Sequence, residues 1–189
     1  MPAGLTPTSP LSANGTDNVP NDSNQPSGTT VTLTTDSASN QTIDFGYISP
    51  CTGSIGDFVW QDLNHNGIQD DGAASGINGI QVLLTGTNVY GQPVSMNFIT
   101  INNPATGTPG YYQFTGLCNG TYSVSVNAAT VPTGFESTFQ LSSNGNDGNG
   151  TDSNQPAGTT VNLPNDNTSN QTIDFGYISP CTGSIGDFV

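Results

Sequence analysis

The residues best suited to chemistry begin at Asp62. From there oxygen-bearing side chains recur at every second position. Asp62, Asn64 and Asn66 stand first, third and fifth in a loop that follows the apolar run Phe58-Val59-Trp60. Gly67 comes sixth, where a calcium loop needs its sharp turn, Ile68 seventh, where a backbone carbonyl suffices, and Asp70 ninth. A hard cation needs several oxygens around one point, and a wound loop with alternating ligands supplies them. The twelfth position, where a bidentate Glu closes such loops, holds Ala73. Asp71, or Asp57 from the preceding strand, is left to fill that place. The first expected Ca2+ site is therefore Asp57, Asp62, Asn64, Asn66, Ile68, Asp70 and Asp71. The plainer reading of the same residues is an Asx-rich turn without metal.

A second oxygen-rich turn runs from Asn146 to Asp152 and offers Asp147, Asn149 and Asp152 as a further Ca2+ site. Its alternative is a solvated Asn/Gly turn. Asp44 and Asp174 lie inside two copies of Thr-Ile-Asp-Phe-Gly-Tyr and read as solvent-facing by strand alternation, with a metal at the strand end as the other option. His65 is the only histidine, so no pair for zinc exists, and it reads as solvated. With one His, no Lys and no Arg, no catalytic constellation emerges and an enzyme is not expected.

The charge balance limits the partners. The chain has 189 residues, no Lys or Arg, 14 Asp and Glu together, and a formal net charge of -14. No side-chain salt bridge involving Lys or Arg can form. Self-repulsion must be relieved by bound cations or tolerated at a solvated surface. Nucleic acid is excluded as a partner, because phosphate binding relies on Lys and Arg. An anionic membrane surface is disfavoured for the same reason. No run of 18 apolar residues occurs, so no membrane insertion is expected. Residues 1–30 lack the charged and apolar regions of a secretory leader, yet the chain reads as a window cut from something longer.

That reading comes from a repeat. Shifted by 130 residues, Asn40 through Val59 is identical to Asn170 through Val189, and Asp22-Ser-Asn-Gln-Pro26 recurs as Asp152-Ser-Asn-Gln-Pro156. The period is too long for a solenoid unit and suits a whole domain. Residues 1–50 are read as the C-terminal half of one module, 51–180 as a complete module, and 181–189 as the first strand of a third.

The elements that must position the oxygens read as strands. The 24 Gly and 13 Pro, with abundant Thr, Asn and Ser, favour strands and turns over helix. Period-two runs predict strands at Ser54–Trp60, Gly79–Thr85, Pro93–Ile101, Tyr111–Thr115, Thr121–Asn127, Phe135–Leu141, Thr159–Leu163 and Gln171–Ile178. The expected core includes Phe58, Trp60, Ile80, Val82, Leu84, Phe98, Tyr112, Phe114, Tyr122, Val124, Val126, Phe175 and Tyr177. Short strands with regular turns imply an all-β, Ig-like antiparallel β-sandwich repeated in tandem.

These residues carry a resemblance. Gly53 through Asp70, Gly76 through Val82, Gly110 through Leu117 with Gly120 through Val124, and Thr172 through Tyr177 resemble the SdrD B-like domain. That family is grouped with the Cna-B, transthyretin-like sandwiches of bacterial surface proteins. The resemblance implies a calcium-stiffened spacer in a long extracellular or cell-surface protein, with copies of itself or adjacent modules as neighbours. Related Cna-B modules carry a Lys–Asn cross-link, which a chain without Lys cannot form.

Cysteine is the available substitute. Up-and-down strands bring Cys51, before the first strand, to the same sandwich end as Cys118, so a Cys51–Cys118 disulfide is predicted, with Cys118–Cys181 between modules as its rival. The leading functional expectation is a calcium-stabilised module of an extracellular filament or stalk. The alternative is an adhesin that binds a surface ligand through exposed aromatics, with Tyr90, Tyr111 and Phe139 as candidates. Subunits lending strands across module boundaries is a further possibility.

Overall fold

The computed structural model describes residues 5–8, 23–139, 145–146, 148–181, 183 and 186. The chain divides into two compact units, residues 1–50 and 51–189.

The first unit holds two short antiparallel strands, β1 (Thr6–Pro7) and β2 (Tyr47–Ile48). Backbone bonds from Thr8 N–H to Gly46 O and from Asn24 N–H to Asp44 O extend this pairing. Asp44 N–H donates back to Asn24 Oδ1, and Gly46 N–H donates to Ser23 Oγ. Val31, Leu33 and Phe45 are 40, 57 and 48% exposed.

The second unit is a sandwich of two sheets. One carries β3 (Gly53–Gln61), β6 (Tyr111–Leu117), β8 (Glu136–Ser137), β10 (Ser169–Asn170) and β11 (Phe175–Ile178). The other is the antiparallel sequence β5-β4-β7-β9, formed by β4 (Gln81–Asn88), β5 (Pro93–Ile99), β7 (Gly120–Val126) and β9 (Thr159–Leu163). A single 3-10 turn at Ala128–Thr130 is the only helical element among the described residues.

In the second sheet the pattern is simple. Val82 and Leu84, Tyr122 and Val124, and Thr159, Val161 and Leu163 are buried at alternate positions, because successive strand side chains point to opposite faces. Across the gap they meet Ile55, Val59, Tyr112, Phe114, Leu117, Ile173 and Phe175.

Strand β3 departs from expectation in two ways. First, it is not purely antiparallel. Along one edge it pairs with β6 antiparallel, and along the other it pairs in parallel with β10 at its start and β11 at its end. Second, Ile55 and Val59 supply its core face, whereas the sequence reading chose Phe58 and Trp60. Phe58 is half-buried. Trp60 is fully buried but on the opposite face, against Thr138 and Gly176. The reason is that both faces of β3 are covered, so period two alone cannot say which faces the other sheet.

Gly176 is required by this second layer. A Cβ there would lie 2.6 Å from Thr138 Cγ2 and 2.8 Å from Trp60 Cζ2. Overpacking of this kind costs about 1–3 kcal/mol. Gly176→Ala is therefore expected to lower the unfolding free energy read from urea melts by that amount, and an unchanged midpoint would show that the indole layer is loose.

Cys51 and Cys118 are joined, with Cα atoms 4.7 Å apart. The rival Cys118–Cys181 bond does not form, because the Cys118 sulfur is spent on Cys51; Cys181 is a free, exposed thiol.

Candidate metal centre

Strand β3 delivers Asp62 to the start of the loop, where its N–H donates to Tyr177 O at 2.8 Å. The side chain is fully buried. Asp62 Oδ2 accepts from Gly67 N–H at 2.8 Å and from Thr138 Oγ1 at 2.5 Å, and Oδ1 accepts from Asn66 N–H at 3.2 Å. Burial pushes the Asp62 carboxyl up. The hydrogen bonds from Thr138, Gly67, Asn66 and His65 outweigh burial and hold it below its ordinary value, so it is ionised at neutral pH.

The loop then winds on itself. Asn64 Oδ1 accepts Asn66 N–H, and Asn66 Oδ1 accepts Ile68 N–H at 2.7 Å. His65 and Gly67 take left-handed backbone angles, with φ of 61° and 76°. A Cβ at Gly67 would approach Phe139 O to 2.9 Å, so glycine is needed for space as well as for angle. Both amide groups converge on one carboxylate: Asn64 Nδ2 donates to Asp70 Oδ1 at 2.8 Å and Asn66 Nδ2 to Asp70 Oδ2 at 3.1 Å. Asp62, Asn64, Asn66 and Asp70 are thus gathered on one turn. The Ile68 carbonyl accepts Asp70 N–H at 2.8 Å, while the Ile68 side chain stays exposed. One Asp71 oxygen is buried without a hydrogen-bond donor. Oxygen donors of this kind fit a hard cation, and a carboxylate, two amide carbonyls, a main-chain carbonyl and a second carboxylate match a calcium loop.

Asp57 goes elsewhere. It lies opposite Tyr112 on the core side of β3, in side-chain contact with Asp174. Residues 171–174 leave the ladder between β10 and β11, and the side chain of Asp174 occupies this break, near Phe58. Asp174 is fully buried, not solvent-facing, and neither carboxylate oxygen accepts a hydrogen bond of good geometry. Asp152, 1% exposed, lies close enough to act electrostatically on Asp174. Burial first, and then for Asp174 the negative charges of Asp57 and Asp152, push both the Asp57 and Asp174 carboxyls well up from the ordinary range.

Of the second predicted site, Asp147 lies outside the described residues. The Asn149 oxygen accepts Thr151 N–H and Oγ1, closing a local turn. Asp152 faces inward and bridges Ile68, while Gln69 N–H donates to Thr151 O at 2.7 Å. The two oxygen-rich stretches, far apart in sequence, therefore adjoin. Sequence reasoning favoured a solvent-facing Asp174, with a metal at the strand end as its other option. The available signal was its company: a carboxylate among Ile173, Phe175 and Tyr177, in a chain with no cationic side chain to meet it.

At the other end of β3 the Cys51 and Cys118 sulfurs and an Asp166 oxygen lie within 4.8 Å of one another. The disulfide uses both sulfurs, so this trio is no metal site. Asp166 instead accepts Asn119 N–H at 2.7 Å.

A model of the SdrD B-like domain matches residues 53–177. Over 188 residues, the whole of this chain, the sequence is 37% identical to serine-aspartate repeat-containing protein F of Staphylococcus epidermidis. It is 36% identical over the same length to serine-aspartate repeat-containing protein D of Staphylococcus aureus strain MW2. The chain spans 9 and 12% of those two proteins. Serine-aspartate repeat proteins are cell-wall surface proteins of staphylococci.

Proposed function

This chain belongs to the SdrD B-like domain family, a surface repeat domain and not an enzyme family, and on that premise we propose that residues 51–180 are a calcium-stabilised structural module of a long extracellular filament or cell-surface stalk. Its mechanism is mechanical. A cation in the Asp62–Asp70 loop ties the end of β3 to the turn that follows, and the disulfide ties its beginning. Adjacent copies of the module are its neighbours.

The observation that carries this reading is that equivalent residues in the two units have opposite burial. Phe45, Val31 and Leu33 are 48, 40 and 57% exposed, whereas their copies Phe175, Val161 and Leu163 are 0, 0 and 2% exposed. The local hydrogen bonds are the same in both. Asn154 and Asp174 exchange the bonds that Asn24 and Asp44 exchange, and Gly176 N–H donates to Ser153 Oγ as Gly46 does to Ser23. Residues 1–50 thus behave as a half-module without the opposing half that would cover its apolar side chains.

The test is a fusion that places residues 51–130 ahead of residue 1 and so completes that half. Amide exchange at Val31, Leu33 and Phe45 is expected to slow to the rates of Val161, Leu163 and Phe175. Exchange that stays fast would count against tandem modules.

The aromatics offered for the adhesin alternative lie apart from one another. Tyr111 packs edge-on against Phe58 and Phe98. Val89 and Tyr90 sit beside Asn119 at the disulfide end, and Phe139 lies against Gly67 at the other. The three candidate aromatics do not share a face.

A further inference from the structure

The two outer strands of the sheet β5-β4-β7-β9 are finished differently. The far side of β9 is covered: Gly145 N–H donates to Thr160 O, Asn162 N–H donates to Asn146 Oδ1, and Asn146 Nδ2 donates to Asn162 O. Strand β5 pairs with β4 on one side, and among the described residues no segment pairs with its other side. Asn88 N–H donates to Gln92 O, and antiparallel partners exchange bonds at every second position. Val94, Met96 and Phe98 therefore bond to β4, and the main-chain groups of Ser95, Asn97 and Ile99 point outward. Such an edge is a template for another strand, and proteins blunt it with charge, proline or a bulge. β5 has no charged residue, and its one proline stands at its first position. Met96 and Ile99 are 37 and 56% exposed, and Val94 and Phe98 are half-buried.

Charge selects the occupant. The formal net charge is -14, yet residues 72–135, which carry β4 to β7, contain no Asp, Glu or His. Two copies of so acidic a chain repel wherever their carboxylates meet, and this edge brings none. A cationic partner would be drawn to the carboxylates elsewhere.

We propose that β5 is a self-docking edge, pairing antiparallel with β5 of a second copy of this chain about a two-fold axis at Met96 and joining two four-stranded sheets into one.

The edge is self-complementary in that register. Ser95 of each copy faces Asn97 of the other, and each gives one N–H and one carbonyl. Ile99 N–H meets the Pro93 carbonyl; only Pro93 lacks an N–H to return. Met96 meets its own copy at the axis, with Val94 and Phe98 beside it, so apolar surface open in the single chain is covered. An isologous contact of this kind closes on itself as a pair. On the tandem-module reading above, every module presents the same edge, and contacts that are weak singly add along two arrays lying side by side. The pairing itself depends neither on that reading nor on calcium.

The experiment is sedimentation equilibrium of the full chain over a range of concentrations, with Cys181→Ser throughout so that the exposed thiol cannot join copies. A monomer–dimer equilibrium is expected, and NaCl should tighten it by screening the repulsion between acidic surfaces. Asn97→Pro deletes an outward N–H that β4 does not use and should weaken the dimer about tenfold or more, through one hydrogen bond lost on each side of the axis. Asn97→Asp sets like charges across the axis and should abolish the dimer. Thr160→Asp adds the same charge at an exposed position of β9 and should leave it intact. Near-UV circular dichroism checks folding; if Asn97→Pro does not fold, Asn97→Asp decides. A parent chain that stays monomeric at high concentration and high salt would overturn the proposal. So would a dimer that the folded Asn97 variants leave unchanged, which would place the contact elsewhere, at the exposed apolar side chains of residues 1–50 for example.

Discussion

Treating the protein with EDTA is expected to lower its melting temperature by on the order of 10 °C for each calcium removed. A ligand that binds only the folded state stabilises it by RT ln(1 + [L]/Kd), about 2.7 kcal/mol at a hundredfold excess over Kd. For a domain of this size, each kcal/mol moves the melting temperature by roughly 4 °C. The electrostatics point the same way. The formal net charge is -14 with no positive side chain, so a removed cation leaves its carboxylates to repel one another. Raising NaCl should restore only part of the loss, since salt screens exposed charges much better than buried ones.

The pH trend in EDTA has a definite sign. The Asp57 and Asp174 carboxyls, which touch each other beside Tyr112, are raised above the ordinary carboxylate range by burial and, for Asp174, by the negative charges of Asp57 and Asp152. The folded state then holds more protons than the unfolded chain above that range. Stability should fall as pH rises from about 4 through neutrality. Scanning calorimetry at several pH values, with and without chelator, reads this fall and the loss on chelation. Superimposable melts with EDTA and with millimolar Ca2+ would refute calcium stabilisation.

Removing the Cys51–Cys118 bond should cost about 4 kcal/mol. The bridge closes a loop with a sequence separation of 67. In the chain-entropy model a loop of that length destabilises the unfolded state by about that amount, a large share of the roughly 5–15 kcal/mol that holds a domain together. The location amplifies the effect. The bridge lies where the β3–β6 ladder begins, at Gly53↔Leu117, and beside Thr52 and Asn119, whose N–H groups both donate to Asp166. Cys51→Ser/Cys118→Ser, which leaves Cys181 in place, should lower the unfolding free energy read from urea melts by this amount without losing the fold in Ca2+. The bridge and the metal loop lie at opposite ends of β3, so the losses from reduction and from EDTA should add. A midpoint unmoved by reduction would mean that the ladder alone holds this end closed.

Much of the sandwich could be read before folding was considered. Strands β4, β7 and β9 each bury one face and expose the other, so period two named both their positions and their inward residues, Val82, Leu84, Tyr122 and Val124 among them. The Cys51–Cys118 pairing followed from counting strand directions and holds. The first sheet was harder. Its central strand is covered on both sides, and its last strand returns in parallel after crossing from the other sheet. One result was the misassigned core face of β3. Another was Asp174: alternation pointed it to water, but a break in the ladder turned it inward beside Asp57.

By itself the sequence determined an all-β chain, the oxygen spacing from Asp62 to Asp70, the repeat and the absence of any internal counter-charge. These are properties of neighbours along the chain, of periodicity and of composition. Only the tertiary structure decided that Asp57 and Asp174 touch in the interior and that the segment after Asp152 bonds to the chain at Asp174. Their proximity depends on a parallel strand return and on the 152–154 segment lying beside β11, and contacts between residues so far apart in the chain leave no periodic trace in the sequence.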